Sequence, residues 1–482
     1  MMNRTRDWSG VKVLVIGAAR QGLALARYLA QHGAQVVLND QRPAEQLSDA
    51  RLALAGLSVE WVCGGHPFEL LDGIDLLCPS GGVPLTLPLI QAAQQRGIPL
   101  SNDSQIFLEV CPCLTIGITG SAGKTTTTSL VGCILAQVIG AEHTWVGGNI
   151  GSPLLAVVDQ MQPGDIAVIE LSSFQLELMT LSVDIAAVLN ITPNHLDRHG
   201  TMGAYQAAKS RIITHQTPHG IAVLGRDDPA AWSLAPLAPG LLHSFGFSPS
   251  PSNEPGSYLD GDQICLWDGQ LSHPVLSRSS LLLRGDHNLL NVLAACAIAA
   301  AALSAVRADG VRPDLRVRPL AVSGAAAMRA AIESFPGVPH RLEWVRNWNG
   351  AAWYNDSIAT APERAMADIR SFAEPLVLLA GGRDKHLPWA DFAGLVHQRV
   401  DHLVLFGEAA ELIYQAVGPV TAGCRPFTIS RCTGLQEAVQ AAASVATPGH
   451  VVLLAPGGTS FDEFRDFEHR GEAYRKWVLE LE

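Results

Sequence analysis

The sequence predicts an α/β protein of three domains: a Rossmann-like N-terminal domain, a central P-loop-type domain with a mainly parallel sheet, and a C-terminal Rossmann-like α/β domain. Three observations carry that expectation. Short apolar, β-branched runs alternate with helix-length segments from Val11 to Leu454, the pattern of parallel strands crossed over by helices. The run Leu114–Leu130, LTIGITGSAGKTTTTSL, joins a strand to a helix through a glycine-rich turn. A length of 482 residues exceeds one core of ordinary size and fits about three. The expected boundaries are 1–112, 113–337 and 338–482.

In the first domain, Val11 to Ile16 reads as a buried strand, followed by the turn GAARQG at Gly17–Gly22 and an amphipathic helix to His32. A second strand, Gln35 to Leu38, ends at Asn39 and Asp40, where such a βαβ unit holds a ribose or base. The dinucleotide fingerprint is broken because Ala19 replaces its middle glycine, which leaves a nucleotide with a shorter diphosphate bridge as the alternative to NAD. A strand Ile74–Cys78 then leads into PSGGVP at Pro79–Pro84 and a helix over Pro88–Gln95.

The second domain opens with the strand Leu114–Thr119 and the loop Gly120–Thr125, with a helix from about Thr126. Its glycines let backbone N–H groups approach phosphate oxygens, and the helix start adds the positive end of its dipole. Lys124 supplies a compact charge for the outer phosphates and Thr125 a hydroxyl for Mg²⁺. The position five before Gly123 is Ile118, so the motif is the shorter GxxGKT rather than the general P-loop. The strand Ile166–Ile169 ends in Glu170, a second oxygen donor for Mg²⁺. The strand Ile185–Leu189 ends in NITPNHLDRHG, and a helix over Thr201–Ile213 carries Lys209. His195 and His199 lack the glutamate of the zinc-protease motif, so a hard-metal site using a histidine is the better reading. The Ser/Pro-rich run Phe247–Ser257 reads as a loop beside a small antiparallel element, Ile264–Trp267 and Leu271–Leu276. A helix starts in RGDHNLLNVLAACA at Arg284, and the arginine-rich segment Ala305–Pro319 has no assigned role. The third domain begins near Gly337, with strands Leu376–Leu379, Leu403–Phe406 and Val451–Leu454.

Bulk composition excludes several classes. With 48% hydrophobic and 16% charged residues the chain is globular rather than disordered, and its net charge of −12 argues against nucleic-acid and anionic-membrane partners. The nine cysteines sit mostly in apolar runs (Cys78, Cys133, Cys296), and the pair Cys111 and Cys113 fits neither redox nor zinc spacing, so reduced thiols in the cytoplasm are expected. The apolar run before Gly17 is too short for a signal segment, and Val292–Val306 falls short of a membrane span. Only five of the 33 Lys and Arg residues are lysine, and three of these, Lys124, Lys209 and Lys385, fall in candidate motifs. Lysine is retained where a guanidinium cannot act as a compact charge or as a titratable amine.

GSAGKTT at Gly120, GGNIG at Gly147, ELSSFQLE at Glu170, NHLDRHG at Asn194, AAK at Ala207, GDHNLLN at Gly285, PHR at Pro339, NDSIAT at Asn355, GGRDK at Gly381 and SFDEFRDFEHRG at Ser460 are collinear from about Val11 to the end. Together they resemble the Mur ligases. SSFQLE with HLDRHG is similar to the branch of that family that adds D-glutamate to UDP-N-acetylmuramoyl-L-alanine. The resemblance implies an ATP-dependent acid–amino-acid ligase that forms a carbon–nitrogen bond through an acyl phosphate in cytoplasmic peptidoglycan precursor synthesis. It implies no membrane insertion, and a monomer is expected.

By the same resemblance, Gly120, Ser121, Ala122, Gly123, Lys124, Thr125 and Thr126 hold ATP phosphates, with Asn288, Asn291, Arg341 and Asp356 as further nucleotide contacts. Two Mg²⁺ ions are implied, one on Thr125 and Glu170, the other on His195 and a carbamylated Lys209; Lys124, His195 and Lys209 are the catalytic set. Arg20, Gln21, Asp40, Arg42, Gly82, Asn149 and His195 fall at the UDP-substrate positions, and Thr360, Lys385, Ser460, Phe461 and Phe467 where the family grips D-glutamate. Nucleotide contacts divided between Lys124 and Arg341 imply a mobile C-terminal domain that closes on nucleotide. The chain departs from the family pattern at Ala122, where many relatives have asparagine, and at Ile358, where the pattern has lysine, so the charge given there is either absent or supplied from elsewhere, with Arg364 as the candidate. A Mur-like ligase for another acceptor or amino acid, and a non-catalytic nucleotide-binding scaffold, are the competing readings.

Overall fold

A computed structural model describes residues 7–308 and 323–482. The first sheet contains β1 (Lys12–Ile16), β2 (Gln35–Asp40), β3 (Val59–Cys63) and β4 (Leu76–Pro79) in the order β3-β2-β1-β4, all parallel. The β-branched run of β1 is buried because the helix Arg20–Gln31 lays Ala24, Leu25, Tyr28 and Leu29 across the sheet. That helix starts at Arg20, so Arg20 and Gln21 stand in its first turn rather than in the loop before it, and β2 continues through Asn39 and Asp40.

The second sheet has nine strands: β5 (Leu114–Thr119), β6 (Thr144–Gly148), β7 (Ile166–Glu170), β8 (Ile185–Val188), β9 (Ile221–Gly225), β10 (Leu241–Gly246), β11 (Gly256–Asp260), β12 (Gln263–Trp267) and β13 (Ser272–Ser277). Their order is β13-β12-β11-β10-β9-β8-β5-β7-β6. The pairs from β6 to β11 are parallel, whereas β12 and β13 add on antiparallel. The expected antiparallel element is therefore a continuation of the main sheet, with β13 as its outermost strand.

These two sheets share one apolar core, running from Val13 and Leu38 through Phe107 to Ile169 and Val188. Together with residues 290–332, the chain up to 279 forms one compact unit. A helix not anticipated from the sequence, Asp103–Val110, is buried along Asp103–Leu108 between them. Its polar opening is satisfied by cross-links: Asn102 Nδ2 donates to Gln175 O at 2.8 Å, Gln175 Nε2 to Ser104 Oγ at 2.8 Å, and Thr180 N to Gln105 Oε1 at 2.9 Å. The helix Asp286–Ala308 is apolar over a membrane-spanning length, yet Val292–Ala299 are wholly buried as core. The arginine-rich segment lies outside the described residues from 309 onward. Among the described residues no cysteine forms a disulfide; Cys78 and Cys296 are buried as expected, but Cys133 is exposed on the helix Lys124–Ile139.

The second unit comprises residues 280–289 and 333–482. Its six-stranded sheet holds β14 (Glu343–Trp348), β15 (Ala351–Asn355), β16 (Leu376–Gly381), β17 (Val400–Phe406), β18 (Thr428–Arg431) and β19 (Val451–Gly457), in the order β14-β15-β19-β16-β17-β18. Only the β14–β15 hairpin is antiparallel. Successive residues of β16 face opposite cores: Leu378 packs with Phe392 and Leu403, Leu379 with Trp353 and Val439.

Candidate active site

The strand order reverses direction at β5, which is flanked by β7 on one side and β8 on the other. Ligands of open α/β sheets bind beyond the carboxyl ends of strands at such a point. There the chain leaves β5 through Gly120–Gly123 and enters the helix Lys124–Ile139, two residues earlier than expected. Gly123 caps that helix at φ 80°, and a Cβ on it would stand 2.1 Å from Asn291 Oδ1, so both conformation and space require glycine. The amides of the first helical turn have no acceptor within the helix and form a ready anion cradle.

The loop is held open by a residue the motif did not reveal. Asn190, just past β8, accepts Ala122 N at Oδ1 (2.8 Å), donates from Nδ2 to Ala122 O (3.2 Å), and takes Ser121 N on its carbonyl (3.0 Å). Ser121 Oγ also lies 3.0 Å from Tyr205 OH. A polar residue at the carboxyl end of a strand next to the loop strand is the signal that marks Asn190.

Thr125, Glu170 and Asn149 come together. Thr125 Oγ1 donates to Glu170 Oε2 at 2.8 Å, and Asn149 Nδ2 to Glu170 Oε1 at 3.0 Å, with Glu170 only 2% exposed. Asn149, placed by resemblance with the UDP-substrate set, thus stands on the carboxylate beside the phosphate loop. Among the described residues, no group of three or more His, Cys, Asp or Glu is arranged to hold a metal alone. A hydroxyl beside one buried carboxylate fits a hard cation such as Mg²⁺, which Thr125 and Glu170 would hold by oxygen donors.

Lys124 and Lys209 meet at one acceptor: each Nζ donates to Gly120 O at 2.9 Å. Lys209 is 1% exposed and bonds Thr119 Oγ1 at 3.2 Å, with its ammonium 4.9 Å from the Tyr205 ring centre. Burial first, then the Lys124 charge, push the Lys209 ammonium well below its ordinary pKa, while Glu170 opposes them. His195 stands at φ 53° ahead of the short turn Leu196–His199, edge-on to Phe174 at 5.2 Å.

In the first sheet, Asp40 is buried at the end of β2 and accepts Ala18 N (2.8 Å), Arg42 N (2.9 Å) and the Arg42 guanidinium (2.9 and 2.8 Å). The Arg42 bonds hold its carboxyl far below the usual range. Arg20 reaches Gly151 O at 2.9 Å, while Gly82 borders open space. Gln21 lies next to the same turn, at Gly81.

In the second unit, the candidate amino-acid residues gather past β15, β16 and β19, neighbours in the sheet. Lys385 Nζ donates to Thr360 Oγ1 at 3.2 Å, and the loops carrying Lys385 and Ser460 pair through Arg383 and Thr459. Ser460 is buried and Phe461 exposed, and Phe467 O accepts Ser357 Oγ at 2.8 Å. The fully buried Arg470, unassigned from the sequence, binds Ser357 Oγ, Ser357 O and Gly458 O at 2.9, 2.8 and 3.1 Å. Burial lowers its pKa to about 10. Asp356 accepts Leu342 N at 2.6 Å, directly after Arg341. Asn288 donates to Arg284 O at 2.8 Å, and Asn291 lies one helical turn further along the same helix.

Three family models match the chain in order: the Mur ligase MurD-like N-terminal domain over residues 11–102, the Mur ligase middle domain over 118–299, and the Mur ligase glutamate ligase domain over 340–458. The UDP-N-acetylmuramoylalanine–D-glutamate ligase of Symbiobacterium thermophilum is 39% identical over 480 residues, covering 98% of this chain and all of that protein. That of Pelotomaculum thermopropionicum is 39% identical, with 99% of each covered. The crystal structure of UDP-N-acetylmuramate–alanine ligase from Thermotoga maritima shares the fold, with a TM-score of 0.54 at 17% identity over 97% of this chain and 99% of that one. With the phosphate loop, the Thr125–Glu170 pair and the buried Lys209 at the switch point of its central sheet, this chain belongs to the Mur ligase family.

Proposed function

We propose that the protein joins D-glutamate to UDP-N-acetylmuramoyl-L-alanine at the expense of ATP, in cytoplasmic peptidoglycan precursor synthesis. The observation that carries this reading is the phosphate-loop cluster in which Lys124 and Lys209 share Gly120 O and Thr125 bonds Glu170. A carboxylate is a poor electrophile. Its oxygen first takes the γ-phosphoryl group of ATP, releasing ADP, and the amine of D-glutamate then forms the amide as phosphate leaves and a proton is lost. Catalysis of such transfers is positioning and charge neutralisation.

Gly120–Thr126 cradle the phosphates, and Lys124, now on Gly120 O, turns to the outer phosphate. Mg²⁺ would be held by Thr125 and Glu170, a second ion by His195 and Lys209, and would neutralise charge on the transferred group. The depressed pKa of Lys209 favours its free amine, the form that takes up CO₂ as a carbamate and so turns a cation into an anionic oxygen ligand. Asn288, Asn291, Arg341 and Asp356 complete the nucleotide contacts, and Arg20, Gln21, Asp40, Arg42, Gly82 and Asn149 the UDP-substrate contacts. Lys385, with Thr360, Ser460, Phe461 and Phe467, receives D-glutamate, its ammonium facing a substrate carboxylate. The protein acts as a monomer of three domains, 1–112, 113–337 and 338–482.

Ile358, partly buried where the family pattern has lysine, favours a second reading in which another amino acid is added. Phosphate release from ATP and Mg²⁺ with UDP-N-acetylmuramoyl-L-alanine, with and without D-glutamate, separates the two. Release that requires both substrates is expected. Release only with another amino acid replaces the reading of the third domain, and ATP binding without turnover on any pair overturns the ligase.

A further inference from the structure

Two side chains of the SSFQLE and HLDRHG motifs have no part in the scheme above: Phe174 and Arg198. The Arg198 guanidinium lies 3.9 Å over the Phe174 ring centre, and its Nη1 and Nη2 donate to Gly81 O at 3.5 Å and Val83 O at 3.2 Å. A residue on the central sheet's loop therefore grips the turn that follows β4 of the first sheet. That turn needs an external hold. Ser80 N on Ile16 O and Val83 N on Ser80 O fix its two ends, but Gly81 and Gly82 between them have no side chains to pack, and Gly82 faces open space.

Phe174 is itself fixed. His199 stacks on it at 5.0 Å and 6°, His195 meets it edge-on at 5.2 Å, and His199 Nε2 is 2.9 Å from Ser173 Oγ. His199 also packs against Tyr205 at 5.2 Å, whose hydroxyl reaches Ser121 of the phosphate loop. The turn at Gly82 is thus joined to the phosphate loop by an unbroken line of contacts, and Arg198 is the link at which it leaves one sheet for the other.

We propose that Arg198, seated on Phe174, is a positioning residue that fixes the Gly81–Val83 turn and so sets where the uridine-diphosphate end of the substrate lies. The proposal rests on the assignment of Gly82 to the UDP-substrate site. A planar fork stacked on a ring is a task that lysine cannot take over.

The test uses the full chain and Arg198→Ala, Arg198→Lys, Phe174→Leu and the Arg198→Ala/Phe174→Leu double variant. It reads KM for UDP-N-acetylmuramoyl-L-alanine, KM for ATP, the calorimetric affinity for UDP, and Tm. Arg198→Ala raises KM for the UDP-substrate about tenfold and weakens UDP binding alike, with KM for ATP within about twofold. Arg198→Lys does not restore the parent value, and the double variant is no worse than Arg198→Ala, because the two residues act as one unit. Parent-like UDP affinity in Arg198→Ala overturns the proposal, as does full rescue by lysine, or a parallel rise of both KM values with a lowered Tm. An unaltered chain that binds UDP yet shows no ligation overturns the reaction assigned above, while the UDP titration still decides the role of Arg198.

Discussion

Lys209 is a buried amine whose hydrogen bonds go to a threonine hydroxyl and a backbone carbonyl rather than to a carboxylate, so nothing in direct contact favours its charged form. A charge removed from water without a counter-ion costs stability, and the fold tolerates it only where the group has another task. Lys209→Met keeps the length and removes the ionisable amine. The expected outcome is a Tm no lower than that of the parent, together with a loss of ligase activity of about 100-fold or more. A variant with parent activity would refute a required oxygen ligand at this position. Lysine scarcity made this residue legible: in a chain rich in arginine, Lys124, Lys209 and Lys385 all lie in candidate motifs. Arg470 was hidden by the same abundance, since nothing local distinguishes a guanidinium that will be wholly buried from the others.

At the scale of elements, the phosphate loop depends on Asn190 more than on its own side chains. Ala122 presents only backbone, and one asparagine satisfies both its N–H and its C=O. Asn190→Ala leaves both groups to solvent, so KM for ATP rises about tenfold and stability falls by about 1–2 kcal/mol, read by steady-state kinetics and thermal melting. The strand, loop and helix from Leu114 onward were legible because a period-free apolar run, paired glycines and a helix-forming tract follow one another without ambiguity. The strands β14, β15 and β18 were not, because EWVRNW and TISR mix charge and apolar residues at an open hairpin and at a sheet edge. Asp103–Val110 escaped for a different reason. Its opening Asp-Ser-Gln reads as a loop, and only the partners on Gln175 and Thr180 make it a buried helix.

That helix also carries one group through which the stability of the whole molecule depends on pH. Burial raises the Asp103 carboxyl to about 6, against weaker opposing hydrogen bonds, and its Oδ1 has no partner. The unfolded chain ionises this group near pH ~4. A folded pKa above the unfolded one contributes stability that is present below pH ~4 and lost as pH rises to about 6, beyond which the loss is constant. Asp103→Asn is therefore expected to gain on the parent through that window, by on the order of 3 kcal/mol above it, with the two converging in acid. Urea unfolding at pH ~4 and ~7 measures the gap, and a pH-independent gap would contradict the assignment. The outermost strand β13 has a consequence of its own. An open sheet edge offers a template on which a second chain can add as another strand. Here Pro274 lacks an N–H, the pairing with β12 shifts register between Ile264 and Cys265, and Arg329 Nε donates to the carbonyl of Val275 at 2.6 Å. These features interrupt the regular ladder that edge-to-edge growth of the nine-stranded sheet would need on this side, a protection in crowded solution that adds nothing to the core.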